Sequence, residues 1–279
     1  MPPRRLRLDA ELVRRGLARS REQAGELIGA GRVKVSGATA SKAATGVTTD
    51  VAIVVADDPD RPDYVSRGGH KLAGALDVFE PAGLTVTGRR CLDAGASTGG
   101  FTDVLLRRGA REVVAVDVGY GQLAWSLQSD ERVHVHDRQN IREIDAELLG
   151  GPVDLVVGDL SFISLTLVLE ALIGVTAPDG DLALMVKPQF EVGKDRVGKG
   201  GVVRDPALRI EAVETVAAEA ARRGWGATMV TRSPLPGPSG NVEFFLWLRH
   251  GPATISTGDV DAAVHGADVL GVADERLHE

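Results

Sequence analysis

The sequence predicts an α/β protein, a doubly wound and mostly parallel sheet with helices on both faces, preceded by a small α+β module. Three observations predict it. Residues 90–108, RCLDAGASTGGFTDVLLRR, pass from a short apolar run through Asp93 into small residues and then into an amphipathic pattern: strand, tight turn, helix start. Val- and Leu-rich runs then alternate with helical patterns down the chain, as strands buried on both faces do. The first 56 residues instead combine two short helical patterns with short alternating strands.

In chain order, residues 8–15 place Leu8, Leu12 and Val13 at helical spacing, followed by Arg14 and Arg15. Ser20 begins a capping box that starts a second helix, which stops at the glycines of 29–31. VKVSGATA then alternates and turns at Ser36 and Gly37, and residues 51–55 supply a further strand. Residues 57–63, DDPDRPD, are acidic, rich in proline and without apolar periodicity, which reads as a linker.

Beyond it, YVSRGGHK leads into LAGALDVF, a helix with Leu72, Ala75, Leu76 and Phe79 on one face and with His70 and Lys71 in its first turn. The run 112–118 makes a second strand and 132–135 a third, VDLVVGDLSF a fourth reaching Asp159, and DLALMVKPQFE a fifth reaching Lys187. Helical patterns are expected at 122–129, 141–149, 164–173 and 206–223. The strands at 228–231 and 243–249 are joined by SPLPGPSGN, too rich in Pro and Gly to be helical. Residues 251–279 are acidic and weakly patterned, and are expected to be a flexible tail.

Composition excludes several classes. At 279 residues and 43% hydrophobic content the chain can bury one sizeable core and carry a small second unit. The apolar run 160–175 is interrupted by Glu170, so no membrane span is expected, and the basic N-terminus has no apolar stretch to make a signal peptide. Cys91 is the only cysteine and excludes a disulfide framework, which suits a cytoplasmic protein. His134 and His136 share a strand face without Cys or acidic partners at ligand spacing, so no metal site is expected. The net charge of −7 hides a division: residues 1–42 hold ten Lys and Arg against four Asp and Glu, a net of +6 on an otherwise acidic chain. Phosphate backbones respond to such a local cluster rather than to the overall charge.

The turn DAGASTGG carries the first chemistry. Gly95, Gly99 and Gly100 let the backbone bend and approach a ligand closely, and free amides at the helix start, with Ser97 and Thr98, face polar or anionic groups. Asp117 stands 24 positions after Asp93, at the tip of the second strand, where an acid accepts hydrogen bonds from a ribose. The spacing is not GxGxxG and fits a nicotinamide dinucleotide poorly, yet the turn alone leaves a dehydrogenase open. In a doubly wound sheet the ligand lies outside the carboxyl ends of the strands, so Asp93, Asp117, Asp159 and Lys187 should border one crevice. Glu243 reaches the same rim only if its strand runs antiparallel.

Resemblances sharpen this reading. DAGASTGG resembles the DxGxxxGG motif of Rossmann-like methyltransferases that bind S-adenosyl-L-methionine (AdoMet), which implies that cofactor on Asp93, Gly95, Ser97, Thr98, Gly99, Gly100, Asp117 and Asp159. LVRRGLARSREQAGELIGAGRVKVSG resembles the S4-type RNA-binding domain, which implies that Arg14, Arg19, Arg21 and Lys34 contact structured RNA. Lys71, Asp159, Lys187 and Glu243 resemble the Lys–Asp–Lys–Glu tetrad of FtsJ-like ribose 2'-O-methyltransferases, in that family's chain order. With SRGGHKL, DVGYGQL, GDLSFISL, KPQFEVG and GPSGNVEFF also in agreement, residues 1–250 resemble the TlyA family, bacterial ribosomal RNA cytidine 2'-O-methyltransferases often labelled haemolysins. The resemblance implies an S4 domain over 1–56, the linker 57–63, a methyltransferase domain over 64–250 and the tail 251–279. Ribosomal RNA or ribosomal subunits are the implied partners, and no obligate protein partner is evident.

Methyl transfer to a ribose hydroxyl requires in-line approach and removal of a proton, hence a positioned base and restricted geometry. Lysine is charged near neutrality, so it takes up a proton only where its surroundings favour the neutral form. Lys71 opposes a second charge at Lys187, whereas Asp159 and Glu243 favour it. The residues leave Lys187 as base or as orienting cation, with the other three as its positioning shell. An RNA-binding protein with haemolysin-type membrane activity is the alternative, but it would need an insertion segment that the sequence does not display.

Overall fold

The structure is a computed structural model that describes residues 5–18, 20–56, 62–237 and 239–266. The chain divides into two compact units, Met1–Asp63 and Tyr64–Glu279.

In the smaller unit, β1 (Leu6–Arg7) pairs antiparallel with β4 (Gly46–Val47), and β2 (Val33–Val35) is flanked by β3 (Ala38–Thr39) and β5 (Ile53–Val55). Helices α1 (Leu8–Arg14) and α2 (Arg21–Gly29) bury Leu8, Leu12, Ala24, Leu27 and Ile28 with Val33 and Val47. Ser20 caps α2 through its side chain, which accepts from the Gln23 amide.

The larger unit contains α3 (Gly68–Phe79), β6 (Arg90–Ala94), α4 (Gly100–Arg107), β7 (Glu112–Asp117), α5 (Trp125–Gln128), β8 (Val133–Asp137) and β9 (Val153–Gly158). There follow α6 (Leu169–Gly174), β10 (Thr176–Val186), α7 (Pro188–Glu191), α8 (Pro206–Arg222), β11 (Trp225–Arg232), β12 (Phe244–His250) and α9 (Thr257–His265). Seven strands form one sheet in the order β11-β12-β10-β9-β6-β7-β8. The run from β10 to β8 is parallel, and β12 is antiparallel to both β10 and β11.

Strand alternation sorts the core into two layers. Leu92, Val114, Val156, Leu182, Leu184, Phe244 and Leu246 face α6, α8 and α9, while Cys91, Val113, Leu155, Val157, Ala183, Met185, Phe245 and Trp247 face α3 and α4. Helix α3 sinks Leu72, Ala75, Leu76 and Phe79 completely into the second layer. Fully burying a Leu or Phe is worth about 1.5–3 kcal/mol, so this stripe is strong enough to hold the polar first turn of α3 against the sheet.

Four expectations need correction. Residues 141–149 make only a 3-10 turn, Ile141–Glu143. The Asn140 side chain accepts from the Arg142 amide and Asp145 from the Leu148 amide, and these local bonds compete with a helix ladder. The 164–173 pattern splits into the 3-10 turn Leu165–Leu167 and α6, and the 122–129 pattern shortens to α5. The tail after Gly251 is not patternless. Ser256 and Asp259 form a capping box for α9, which buries Val260, Ala263 and Val264. Residues 267–279 lie outside the described residues, as do 57–61 of the expected linker.

Candidate active site

The same alternation that builds the core builds the site. On β9 the row facing α3 runs Leu155, Val157 and then, one step past the strand, Asp159; on β10 it runs Ala183, Met185, Lys187; on β12, read backwards, Trp247, Phe245, Glu243. Because β12 is antiparallel to β10, its start lies at the carboxyl ends of the parallel strands, and Glu243 meets Lys187 and Asp159 at one rim. Lys71 arrives from the first turn of α3, which lies over that row.

The four side chains form a chain of charges. Lys71 Nζ donates to Glu243 Oε2 at 2.5 Å and lies 3.9 Å from Asp159 Oδ2, and Lys187 Nζ lies 2.5 Å from Asp159 Oδ1. Glu243 is 1% exposed, Lys71 4% and Lys187 6%, whereas the Asp159 side chain keeps 23% of its surface in water. Burial of single charges at this depth is costly, and alternation of sign along the chain is what offsets it. The Lys187–Asp159 contact is a close ion pair off the hydrogen-bond direction, since Asp159 Oδ1 has no hydrogen-bond partner. The hydrogen bond of Lys187 Nζ goes to Ser161 Oγ at 2.9 Å.

Two neighbours of this chain escape sequence reasoning. Ser161 holds Lys187, and Gln189 Nε2 donates to Glu243 Oε1 at 3.4 Å. Each lies two residues after a tetrad member, in D-L-S and K-P-Q, and that spacing was the available signal.

The glycine turn borders the same rim, for Asp159 donates its amide to Ala94 O at 3.2 Å. Asp117 Oδ2 accepts from the Ser97 amide at 2.8 Å and Oδ1 from the Gly119 amide at 2.7 Å. An ionised carboxylate has about four acceptor positions, so Asp117 retains capacity for a ribose. Ser97 and Thr98 are exposed beside it. Gly99 has φ +94° and is packed by protein: a Cβ there would collide with Leu127 Cδ1, and one on Gly100 with Ser66 Oγ. A Cβ on Gly95, at φ +83°, would come within 3.2 Å of Asp159 O.

Asp93 behaves differently from the other acids. It extends the row of Cys91 beneath α4, is fully buried, and accepts from Thr102 N at 2.9 Å and Thr102 Oγ1 at 2.7 Å, while its Oδ1 has no hydrogen-bond partner. Burial pushes its carboxyl up to about 7, against the Thr102 hydrogen bonds and with help from the charges of Asp159 and Asp117. A carboxyl raised in the folded state binds a proton that the unfolded chain has released. Its contribution is therefore full below about pH 4 and is lost as pH rises towards 7. Asp93→Asn should flatten this part of the stability profile. Unfolding midpoints between pH 5 and 8 that fall equally in both proteins would refute the assignment.

In the smaller unit, two buried acids organise the arginines. Arg14 reaches Glu11 at 2.6 and 2.7 Å and Arg15 reaches it at 2.7 Å, while Arg7 and Arg21 converge on Asp9 at 3.0 and 2.9 Å. The Arg14 and Arg15 guanidiniums hold the Glu11 carboxyl down at about 2. The Arg14 and Arg21 side chains keep more than half of their surface exposed, and Lys34 is exposed on β2. Arg19 lies outside the described residues.

With this geometry in place, residues 64–250 match the FtsJ-like methyltransferase family, and residues 6–53 match the S4 domain. The chain belongs to the FtsJ-like methyltransferase family. A 16S/23S rRNA (cytidine-2'-O)-methyltransferase TlyA of Mycobacterium tuberculosis is 60% identical over 95% of this chain and 97% of its own length. Hemolysin A of Brachyspira hyodysenteriae is 37% identical over 86% of this chain and 98% of its own. A solved structure from Streptococcus thermophilus that bears a provisional hemolysin label is similar with a TM-score of 0.70 at 36% identity, covering 95% of this chain and 96% of that one.

Proposed function

We propose that this protein transfers a methyl group from AdoMet to the 2'-hydroxyl of a cytidine ribose in ribosomal RNA, in the cytoplasm, with the smaller unit holding RNA and the larger one carrying the reaction. The observation that carries this reading is the ionic chain Glu243–Lys71–Asp159–Lys187 at one rim of the sheet, beside the DAGASTGG turn. The name of the 60% identical relative supports the same substrate class.

The residues at the turn suit the cofactor. Asp117 keeps acceptor capacity for a ribose, Ser97 and Thr98 are exposed next to it, and Val118 presents an apolar surface that is 72% exposed. Bound AdoMet would supply an electrophilic methyl group on a sulfonium. The chain's own residues do the rest. Lys187 Nζ holds the acceptor oxygen or receives its proton, Asp159 pairs with Lys187, and Lys71 with Glu243 forms the buried end of the ionic chain.

The decisive experiment incubates the full chain with labelled AdoMet and each isolated ribosomal subunit, and maps ribose methylation. Absence of label in both RNAs, with AdoMet bound, would overturn the substrate assignment. Asp117→Ala should weaken AdoMet binding by roughly tenfold, the value of one or two charge-assisted hydrogen bonds. Calorimetry that finds unchanged affinity would remove Asp117 from the cofactor site. Arg14→Ala or Arg21→Ala should lower affinity for the ribosomal substrate and reduce the salt slope by about 1 for each phosphate no longer neutralised, with AdoMet binding unaffected. Identical slopes in mutant and wild type would assign these arginines to folding alone, through Glu11 and Asp9.

The hemolysin names of some relatives raise a second activity. Among the described residues, no helix is long and apolar enough to cross a membrane.

A further inference from the structure

Lys187 is held by two different kinds of contact. The ion pair to Asp159 Oδ1 at 2.5 Å is off the hydrogen-bond direction and holds the charge. Its directional hydrogen bond goes instead to Ser161 Oγ at 2.9 Å. The Phe190 ring closes another side, 5.9 Å from Nζ. Ser161 itself is exposed whereas Lys187 is 6% exposed, so the buried amine is hydrogen-bonded to a residue that reaches solvent.

From this we infer that Ser161 is a positioning residue for methyl transfer, aiming Lys187 Nζ at the acceptor hydroxyl. The inference rests on the transfer reaction proposed above. A serine oxygen accepts from Nζ and still owns an O–H group, so it can hold the amine and orient an incoming ribose hydroxyl by a hydrogen bond, while the ribose proton leaves to Lys187 or to solvent. Alanine can do neither.

The loop is built to keep that oxygen in place without relying on the bond itself. Phe162, the next residue, has φ +65°, a left-handed conformation that costs energy for a side chain of this size, and its ring packs 5.4 Å from Phe190. Glu191 binds the same loop from the segment that follows Lys187, accepting from Ser164 Oγ at 2.5 Å and from the Leu165 amide at 2.9 Å. Removal of the Ser161 hydroxyl therefore leaves the loop tied by Glu191.

The test uses the full chain with Ser161→Ala and Ser161→Thr, in single turnover with saturating ribosomal subunit and AdoMet, across pH 6–9. Ser161→Ala should slow transfer by roughly tenfold or more, as loss of a hydrogen bond to a charged group predicts, and should move the pH profile. Affinities for RNA and AdoMet should stay within about twofold, and Ser161→Thr should come within about threefold of wild type. Ser161→Ala with wild-type rates at every pH overturns the inference. So does a rate loss matched by an equal fall in RNA affinity, which would make Ser161 an RNA contact, and so does a Thr variant as slow as the Ala variant. Failure of the wild-type protein to methylate either subunit is a separate outcome, and it tells against the reaction rather than against Ser161.

Discussion

Lys187→Ala should reduce single-turnover methyl transfer by on the order of 10²–10⁴, the range associated with a positioned acid or base, while AdoMet and RNA still bind. The substitution removes the amine at the open end of the ionic chain and leaves Asp159 with only the more distant Lys71, 3.9 Å away. Lys187→Arg should not restore the rate. A guanidinium cannot give up its proton, and its planar fork cannot take the place of a compact ammonium wedged between Asp159, Ser161 and the Phe190 ring. The four ions are in one chain of contacts, and on the proposed reaction losses from changes at Lys71, Asp159 or Glu243 should not add to this one. Transfer that survives Lys187→Ala within a few-fold would place activation of the acceptor elsewhere.

Glu243→Ala should destabilise the larger unit by about 3–5 kcal/mol, as breaking one side of a buried ion pair does. Glu243 is 1% exposed, and its loss strands the Lys71 ammonium, which is 4% exposed and next to the Met185 thioether. The double change Lys71→Met with Glu243→Leu removes both charges together. It should recover most of the stability while transfer stays lost, because apolar replacements of a buried pair are often neutral. Urea unfolding of the wild type, Lys71→Met, Glu243→Leu and the double variant gives the coupling directly. A single Glu243→Ala variant as stable as wild type would mean that Lys71 finds water or another partner at little cost.

Lys187 and Asp159 were legible because each ends an apolar strand pattern, and a charge at that place in a doubly wound sheet falls on the ligand rim. Lys71 and Glu243 were not legible from position alone. The first sits in a helix turn and the second follows a Pro- and Gly-rich loop, and the resemblance to a family tetrad supplied them. Asp93 shows the limit of the strand-tip argument. It lies one step short of the strand end and on the α4 side, so alternation turns it under the helix where Thr102 takes its oxygen. The helix expected at 141–149 shows another limit: Ile141, Ile144 and Leu149 are buried as the periodicity implied, but Asx-type bonds hold the backbone in turns.

By itself the sequence determined the succession of strands, the glycine turn, the basic character of the first unit and the charges Asp159 and Lys187 at two strand ends, since each is written in local periodicity or in a short motif. The tertiary structure alone decided that β12 runs antiparallel and so brings Glu243 to the rim, that Ser161 and Gln189 join the ionic chain, that Asp9 and Glu11 are the buried anchors of the arginines, and that residues after Gly251 close the sheet with α9. For β12, Ser161 and Gln189 the physical reason is the same. A side chain's partner is set by strand register and by which face of the sheet it extends, and both depend on segments far apart in the chain.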